Sequence, residues 1–313
     1  MFFRNKAEKI TVNEFDEYRK NICIYRGVGG LGDILAMRMI FEDLKTNYPD
    51  FKITWAVPYR FFAAALQHPF VDHVVNLDEA KRKNYLETFD VTTICGRYEV
   101  LNKGKAEKNR SDIWANYFGL ELKNHNMHMP SYSQFFDILE NKLKKLGWDG
   151  QKKLIAFAPK SAIGLKNMTF EQMKAIRDFT KDYFLFALHN SPILELGELG
   201  IPGLYDLKME QALCAIERSD YVIATDTGLL HAAAGYKKPA LGTFSFVDGY
   251  IYCKYYPTVQ VVQIHKNDHP GWCGPCWDYG KCPFTEQKNQ KPCQTNITPK
   301  LLLENWHKLL NKV

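Results

Sequence analysis

Cysteine is scarce: eight in 313 residues are too few to staple a fold with disulfides, and Cys23, Cys95, Cys214 and Cys253 stand singly, as reduced core residues do. Long apolar runs are missing as well, since no stretch approaches the ~18 uninterrupted apolar residues of a membrane-spanning helix. The opening segment Met1 to Lys9 has neither the apolar centre nor the small-residue cleavage site of a secretory signal. A cytoplasmic protein without a transmembrane segment is therefore expected, with peripheral membrane contact still compatible. Neither sign of charge dominates. Lys plus Arg is 41 against 35 Asp plus Glu, and the net +6 suits an anionic small molecule but falls short of a dedicated nucleic-acid binder. With 20 Gly and 14 Pro, fibrous and disordered classes drop out.

What is present is an alternation of apolar strands and helical patterns, which argues for parallel sheets covered by helices. Strands are expected over Asn21 to Arg26, Lys52 to Val57, His73 to Asn76 and Val91 to Ile94, with helices over Asp33 to Asn47, Tyr59 to Gln67 and Ser131 to Leu146. The basic run Asn102 to Asp112, with Lys103, Lys105, Lys108 and Arg110, reads as a solvated loop, with acceptor binding as the alternative. Gly147 to Gln151 looks like a linker. The alternation then restarts: strands Lys153 to Ala158, Tyr183 to Leu188, Tyr221 to Thr225 and Ala240 to Phe244, and helices Thr169 to Phe179 and Lys208 to Arg218. Thr169 followed by Gln172 fits a capping box, and Thr298-Pro299 opens a last helix. The expected domains are 1–148, 149–297 with a cysteine-rich loop over 268–297, and a C-terminal helix over 298–313 returning to the first domain.

Between the first strand and helix lies Gly27-Val28-Gly29-Gly30-Leu31-Gly32-Asp33, a loop that lets a ligand approach the backbone closely at a helix start. A dinucleotide site also needs an acidic residue about 20 positions on. The second strand ends instead in Trp55-Ala56-Val57-Pro58, so a nicotinamide cofactor is not expected. Asp33 can be a helix-start carboxylate favoured by the dipole, or a general base at the mouth of the sheet. In the second half, Tyr221 to Thr225 leads into Asp226-Thr227-Gly228 and the alanine-rich stretch containing His231, a second anion-binding helix start. His231 can cap, pack or touch a ligand.

Gly29-Gly30-Leu31-Gly32-Asp33 together with Asp226-Thr227-Gly228-Leu229-Leu230-His231 resembles glycosyltransferase family 9, the ADP-heptose-dependent heptosyltransferases. Phe51 to Val57 followed by His68-Pro69-Phe70-Val71-Asp72 resembles that family's second strand and the segment after it, and Lys166-Asn167-Met168-Thr169-Phe170 resembles its donor-binding lysine. The likeness runs from about Ile22 to Leu309 and is weakest between Asn102 and Lys152. It implies a GT-B architecture, two Rossmann-like domains with parallel sheets facing across a cleft, and inverting transfer from a nucleotide sugar to a glycan or protein hydroxyl without a catalytic cofactor. Cysteine-containing members include lipopolysaccharide and autotransporter protein heptosyltransferases. No Asp-x-Asp, the metal and diphosphate motif of GT-A enzymes, occurs in the chain. The family often has proline soon after Leu-Gly-Asp, where this chain has Met37-Arg38-Met39, and Gly-Pro-Thr where this chain has Thr243-Phe244-Ser245-Phe246. On this reading Asp33 is the base, Lys166, Thr227 and Gly228 hold the diphosphate, and Asp226 orients the sugar. A nucleotide-sugar-binding protein without chemistry is the alternative.

Cys273, Cys276, Cys282 and Cys293 crowd together in a stretch punctuated by Gly and Pro. The first pair has knuckle spacing, and the later pair can complete a tetrahedral site for a structural zinc or iron ion. Trp272-Cys273-Gly274-Pro275-Cys276 also spells a thioredoxin active site, but the residues after it are too few to complete that fold.

Overall fold

The computed structural model describes residues 20–102, 107–264 and 292–312, and the chain divides into two α/β units. The first takes residues 1–98 and 110–130, the second residues 99–109 and 131–313.

In the first unit β1 (Asn21–Tyr25), β2 (Lys52–Val57), β3 (His73–Asn76) and β4 (Glu87–Asp90) pair in parallel in the order β3-β2-β1-β4. Ile22, Cys23 and Ile24 are buried on both faces of the sheet, which explains why β1 reads as an unbroken apolar run. In the second unit β5 (Leu154–Ala158), β6 (Phe184–His189), β7 (Gly203–Tyr205), β8 (Tyr221–Thr225), β9 (Ala240–Thr243) and β10 (Val259–Val262) are also all parallel, in the order β10-β9-β8-β5-β6-β7. Counted from β5, this is the doubly wound dinucleotide-fold order, and the first unit repeats its first four positions. The direction of winding reverses between β1 and β4 and again between β5 and β8. Ligands bind such sheets at the carboxyl ends of the strands flanking that reversal. Both loops singled out in the sequence start there.

Several expected elements need correction. The helix over Asp33 to Asn47 is two helices, Leu31–Met37 and Ile40–Asn47. The break has no proline. The Arg38 carbonyl there accepts from His68 Nε2 (3.0 Å), while the fully buried Arg38 guanidinium donates to the carbonyls of Met127, Ala64, Leu66 and His128. The strand expected over Val91 to Ile94 is β4, four residues earlier; its polar Glu87, Thr88 and Asp90 hid it, and Ile94 opens a helix instead. Tyr59 to Gln67 reduces to a 3-10 turn and the short helix Phe62–Ala65.

The expected boundary at Gly147 to Gln151 is a turn inside the second unit. Gly147 and Gly150 adopt positive φ, while Trp148 is buried and donates Nε1–H to the Lys152 carbonyl (2.8 Å). Helix Phe136–Lys145 groups with this unit, joined to helix Met209–Arg218 by an Arg218–Glu140 ion pair (2.7 Å) and by Glu217, which accepts from Ser131 Oγ and the Tyr132 amide. The last helix, Pro299–Leu310, is capped by Thr298 as expected and groups with the second unit. Its buried Trp306 packs among Phe179, Tyr183 and Tyr221. The Thr169 and Gln172 capping box forms. Among the described residues no helix is long and apolar enough to cross a membrane.

Candidate active site

In the first unit the glycine loop leaves β1 at Arg26 and is pinned across the winding reversal: the Gly27 amide donates to Thr92 Oγ1 (2.7 Å), beyond the end of β4. Gly29 has φ +124°, and a Cβ there would stand 2.6 Å from the Arg26 guanidinium and 2.8 Å from Asp33 Oδ2. Only glycine meets both demands. The Gly30 amide donates to Asp33 Oδ2 (3.0 Å), and Gly32 follows inside the helix. The amides of Gly27 and Gly30 are thus occupied by Thr92 and Asp33. This loop is built around a carboxylate rather than opened toward a phosphate.

Two arginines complete that setting. Arg26 Nη2 lies 3.1 Å from Asp33 Oδ2, and Arg110 Nη1 lies 2.6 Å from Oδ1. Burial pushes the Asp33 carboxyl up, but the guanidinium groups of Arg110 and Arg26 and the Gly30 amide outweigh it and hold the group well below the usual carboxylate range. Asp33 is an ionised acceptor throughout the physiological range. At the helix start Asp33 closes the loop and presents a charged oxygen.

Arg26 and Arg110 were not singled out from the sequence as partners of Asp33. The segment read as a solvated loop becomes, at Arg110, the helix Arg110–Tyr117; Ser111 is buried and donates to the Ala36 carbonyl, and Asn109 is buried and donates to the carbonyls of Ile251 and Tyr252. Lys103 and Lys105 lie outside the described residues. The apolar Ile113-Trp114-Ala115, buried in this helix, was the available signal, and the preceding lysines obscured it.

In the second unit β8 ends at Thr225 and the chain turns through Asp226 and Thr227 into helix Gly228–Gly235. Thr227 is the N-cap residue with no side-chain cap bond, which leaves its hydroxyl and the first helix amides directed beyond the strand end. Lys166 arrives from the 3-10 turn Gly164–Lys166 and places Nζ 2.7 Å from Asp226 Oδ2, a largely buried pair. The turn is fastened on several sides. The Lys166 carbonyl accepts from Thr225 Oγ1, the Leu165 carbonyl from Ser245 Oγ (2.8 Å), and the Asn167 carbonyl from Gln294 Nε2. Lys160, just past β5, pairs with Glu195 at 2.5 Å and adds a second cation at the same strand ends. His231 lies one turn into the helix, its Nδ1 2.7 Å from the Tyr256 hydroxyl, with the rings packed edge to face. Packing against Tyr256 is what this structure shows for it.

The structure thus joins Gly29 and Gly30 to Asp33 in the first helical turn, and brings Lys166, from the turn after β5, onto Asp226, which leads into Thr227 and Gly228. Cys293 is buried in the short helix Pro292–Thr295, whereas Cys273, Cys276 and Cys282, with the thioredoxin-like pentapeptide, lie outside the described residues. Among the described residues no group of three or more His, Cys, Asp or Glu could hold a metal ion.

Two Rossmann-like units, each a parallel sheet with a loop where the strand order reverses, make up the GT-B type of fold. Solved heptosyltransferases share it. The structure of a glycosyl transferase family 9 protein from Veillonella parvula superposes with TM-score 0.71 at 13% identity, covering 94% of this chain and 98% of that one. Escherichia coli ADP-heptose lps heptosyltransferase II gives TM-score 0.66 at 14% identity, with 94% and 99% covered. The iron-containing heptosyltransferase TibC of enterotoxigenic E. coli, solved in complex with ADP-D-β-D-heptose, gives 0.68 at 14% identity, with 94% and 77% covered. In sequence, 126 residues are 29% identical to the E. coli K12 protein named "Putative lipopolysaccharide heptosyltransferase 4"; the match covers 39% of this chain and 33% of that protein, so the chain spans about a third of it. No protein-family model matches the chain.

Proposed function

We propose that the protein is an inverting glycosyltransferase that moves a sugar from a nucleotide sugar, ADP-heptose by preference, to a hydroxyl on a glycan or protein. The observation that carries this reading is Asp33, a carboxylate kept ionised by two arginines in a purpose-built loop at the winding reversal. An ionised carboxylate at the strand ends is a group that can accept the proton of an acceptor hydroxyl. In the reaction the acceptor oxygen forms its bond to the anomeric carbon as its proton passes to Asp33. The bond from that carbon to the diphosphate breaks with its electrons on the departing ADP. Lys166, the Thr227 hydroxyl and the Gly228 amide meet that charge, and Asp226 orients the sugar hydroxyls while holding the Lys166 ammonium in place. These groups stabilise the leaving group without a metal. A cytoplasmic setting is the expectation from the sequence.

The test is turnover: full-length protein with ADP-heptose and a panel of lipopolysaccharide core, other glycan and polypeptide acceptors, read by ADP formation and acceptor mass. An acceptor heavier by one heptose supports the reading, and donor binding with no transfer to any member of the panel favours the purely binding alternative.

We also propose that Cys273, Cys276, Cys282 and Cys293 hold one structural ion, zinc or iron. Four thiolates suit either, and a closed four-ligand site has no position for substrate. What supports this is where the fourth cysteine sits. Its neighbour Gln294 donates to the Asn167 carbonyl beside Lys166, and Gln172 donates in turn to the carbonyls of Gln294 and Ile297 (2.7 and 2.8 Å). An ion at these thiolates would hold the chain that braces the Lys166 turn. Elemental analysis of untagged protein is expected to find about one ion per chain, and Cys276→Ser to lose both the ion and several degrees of Tm. Native protein without metal would refute the site.

A further inference from the structure

We propose that Arg110 is a positioning residue for the transfer reaction, seated on Asp33 Oδ1, the carboxylate oxygen with the fewer donors. The proposal rests on the reading of Asp33 as the base.

The two carboxylate oxygens are served differently. Oδ2 receives the Gly30 amide at 3.0 Å and Arg26 Nη2 at 3.1 Å, so both of its lone pairs are engaged. Neither donor can leave easily. The amide is backbone, and the Arg26 side chain is 4% exposed, lies over the Trp114 ring at 4.9 Å and donates to the Val91 carbonyl at 3.4 Å. Among the described residues Oδ1 receives Arg110 Nη1 alone, at 2.6 Å, and the Arg110 side chain is 24% exposed. One lone pair of Oδ1 is therefore left for a hydroxyl.

Arg110 does two things from that position. It fixes the rotation of the carboxylate, so that the free lone pair has a defined direction, and it keeps the group ionised. It cannot take the proton itself, since a guanidinium stays charged. In the transfer the acceptor proton ends on Oδ1, the new bond joins the acceptor oxygen to the anomeric carbon, and the ADP leaves with the electrons of the broken bond. The charged groups set against Asp33 are Arg26 from the end of β1 and Arg110 from helix Arg110–Tyr117. The packed helix Phe62–Ala65 brings only Phe and Ala, and Arg60, from the turn before it, reaches the loop through the Gly29 carbonyl at 3.3 Å. Arg110 is thus the exposed member of the arginine pair that sets the charge of the base.

The test uses the full chain with Arg110→Gln and Arg110→Lys. Arg110→Gln is expected to lower kcat at least about tenfold with donor Kd unchanged, and to move the acidic limb of the kcat/KM profile up by about 1–3 pH units, the effect of losing a close opposite charge. Arg110→Lys should restore most of both. In parallel, protein labelled with 13C at aspartate carboxyls, with Asp33 assigned through Asp33→Asn, reports the titration of Asp33 without any need for turnover. A midpoint raised in Arg110→Gln together with a shifted rate profile supports the proposal. An unmoved midpoint overturns the hold of Arg110 on Asp33, and a raised midpoint with an unmoved rate profile overturns its part in transfer. Asp33→Asn activity judges the base assignment separately.

Discussion

Asp33→Asn protein is expected to fold, to bind donor with near wild-type affinity and to transfer sugar at least about 100-fold more slowly. The amide keeps the size of the carboxylate and can still accept one hydrogen bond, but it cannot accept a proton at neutral pH. Folding should survive because neither arginine depends on Asp33 alone. Arg26 keeps the Trp114 ring and the Val91 carbonyl, and the exposed part of Arg110 keeps water. Some stability is nevertheless lost, since removing one partner of a partly buried ion pair leaves the other uncompensated. The decisive comparison is therefore between Tm, donor Kd and kcat in the same variant. A fall in kcat with the other two retained assigns the proton transfer, and near wild-type turnover would remove Asp33 from the chemistry.

Lys166→Ala should show two effects that a second substitution separates. The ammonium faces the buried Asp226 carboxylate at 2.7 Å, so its loss leaves that charge unpaired, an arrangement that costs about 3–5 kcal/mol in comparable buried pairs. It also removes a charged contact to the diphosphate of about 1.5–3 kcal/mol, which is about 10- to 150-fold in donor affinity. In the double variant Lys166→Ala with Asp226→Asn, the stability should largely return while donor affinity and turnover stay low. EDTA should leave wild-type transfer intact, because cationic side chains and helix amides replace a metal at the leaving group. An obligatory requirement for Mg2+ or Mn2+ would contradict this account, as would full recovery of donor affinity in the double variant.

Much of this arrangement was legible in the residues. The strands β1, β5 and β8 are buried on both faces and so appear as continuous apolar runs, Ile22 to Ile24, Leu154 to Ala158 and Tyr221 to Thr225. The loops after β1 and β8 announce themselves because their glycines and short polar residues interrupt those runs. Edge strands were another matter. β4 buries one residue of four, and the three-residue β7 is as short as a turn, so neither offers an apolar signal to read. The helix break at Arg38 was hidden because its cause is tertiary: a buried imidazole takes the carbonyl that the helix would have used.

The partners of Asp33 were out of reach for a similar reason. Arg110 stands 77 positions away and belongs to a basic stretch whose composition resembles a solvent-facing loop. Only the folded chain brings its first helical turn onto the glycine loop. The domain boundary failed on local chemistry instead. Gly147 and Gly150 have the composition of a linker, but Trp148 between them is buried, and the polar helix before them uses Glu140 to grip Arg218. The helix itself was legible, but its attachment to the second unit rests on a pairing 78 positions apart and has no local signature.

The proposed binding of an ADP-linked sugar to the second unit is tested by thermal unfolding of the full chain with a panel of ADP-, UDP-, GDP-, CDP- and dTDP-sugars. A ligand that binds only the native state stabilises it by mass action, about 2.7 kcal/mol at a concentration 100 times Kd. The account predicts that ADP-heptose raises Tm in a concentration-dependent way and that the other nucleotides leave it nearly unchanged. A panel in which no nucleotide sugar raises Tm, or in which a UDP-, GDP-, CDP- or dTDP-sugar does so in place of the ADP-linked one, would contradict it.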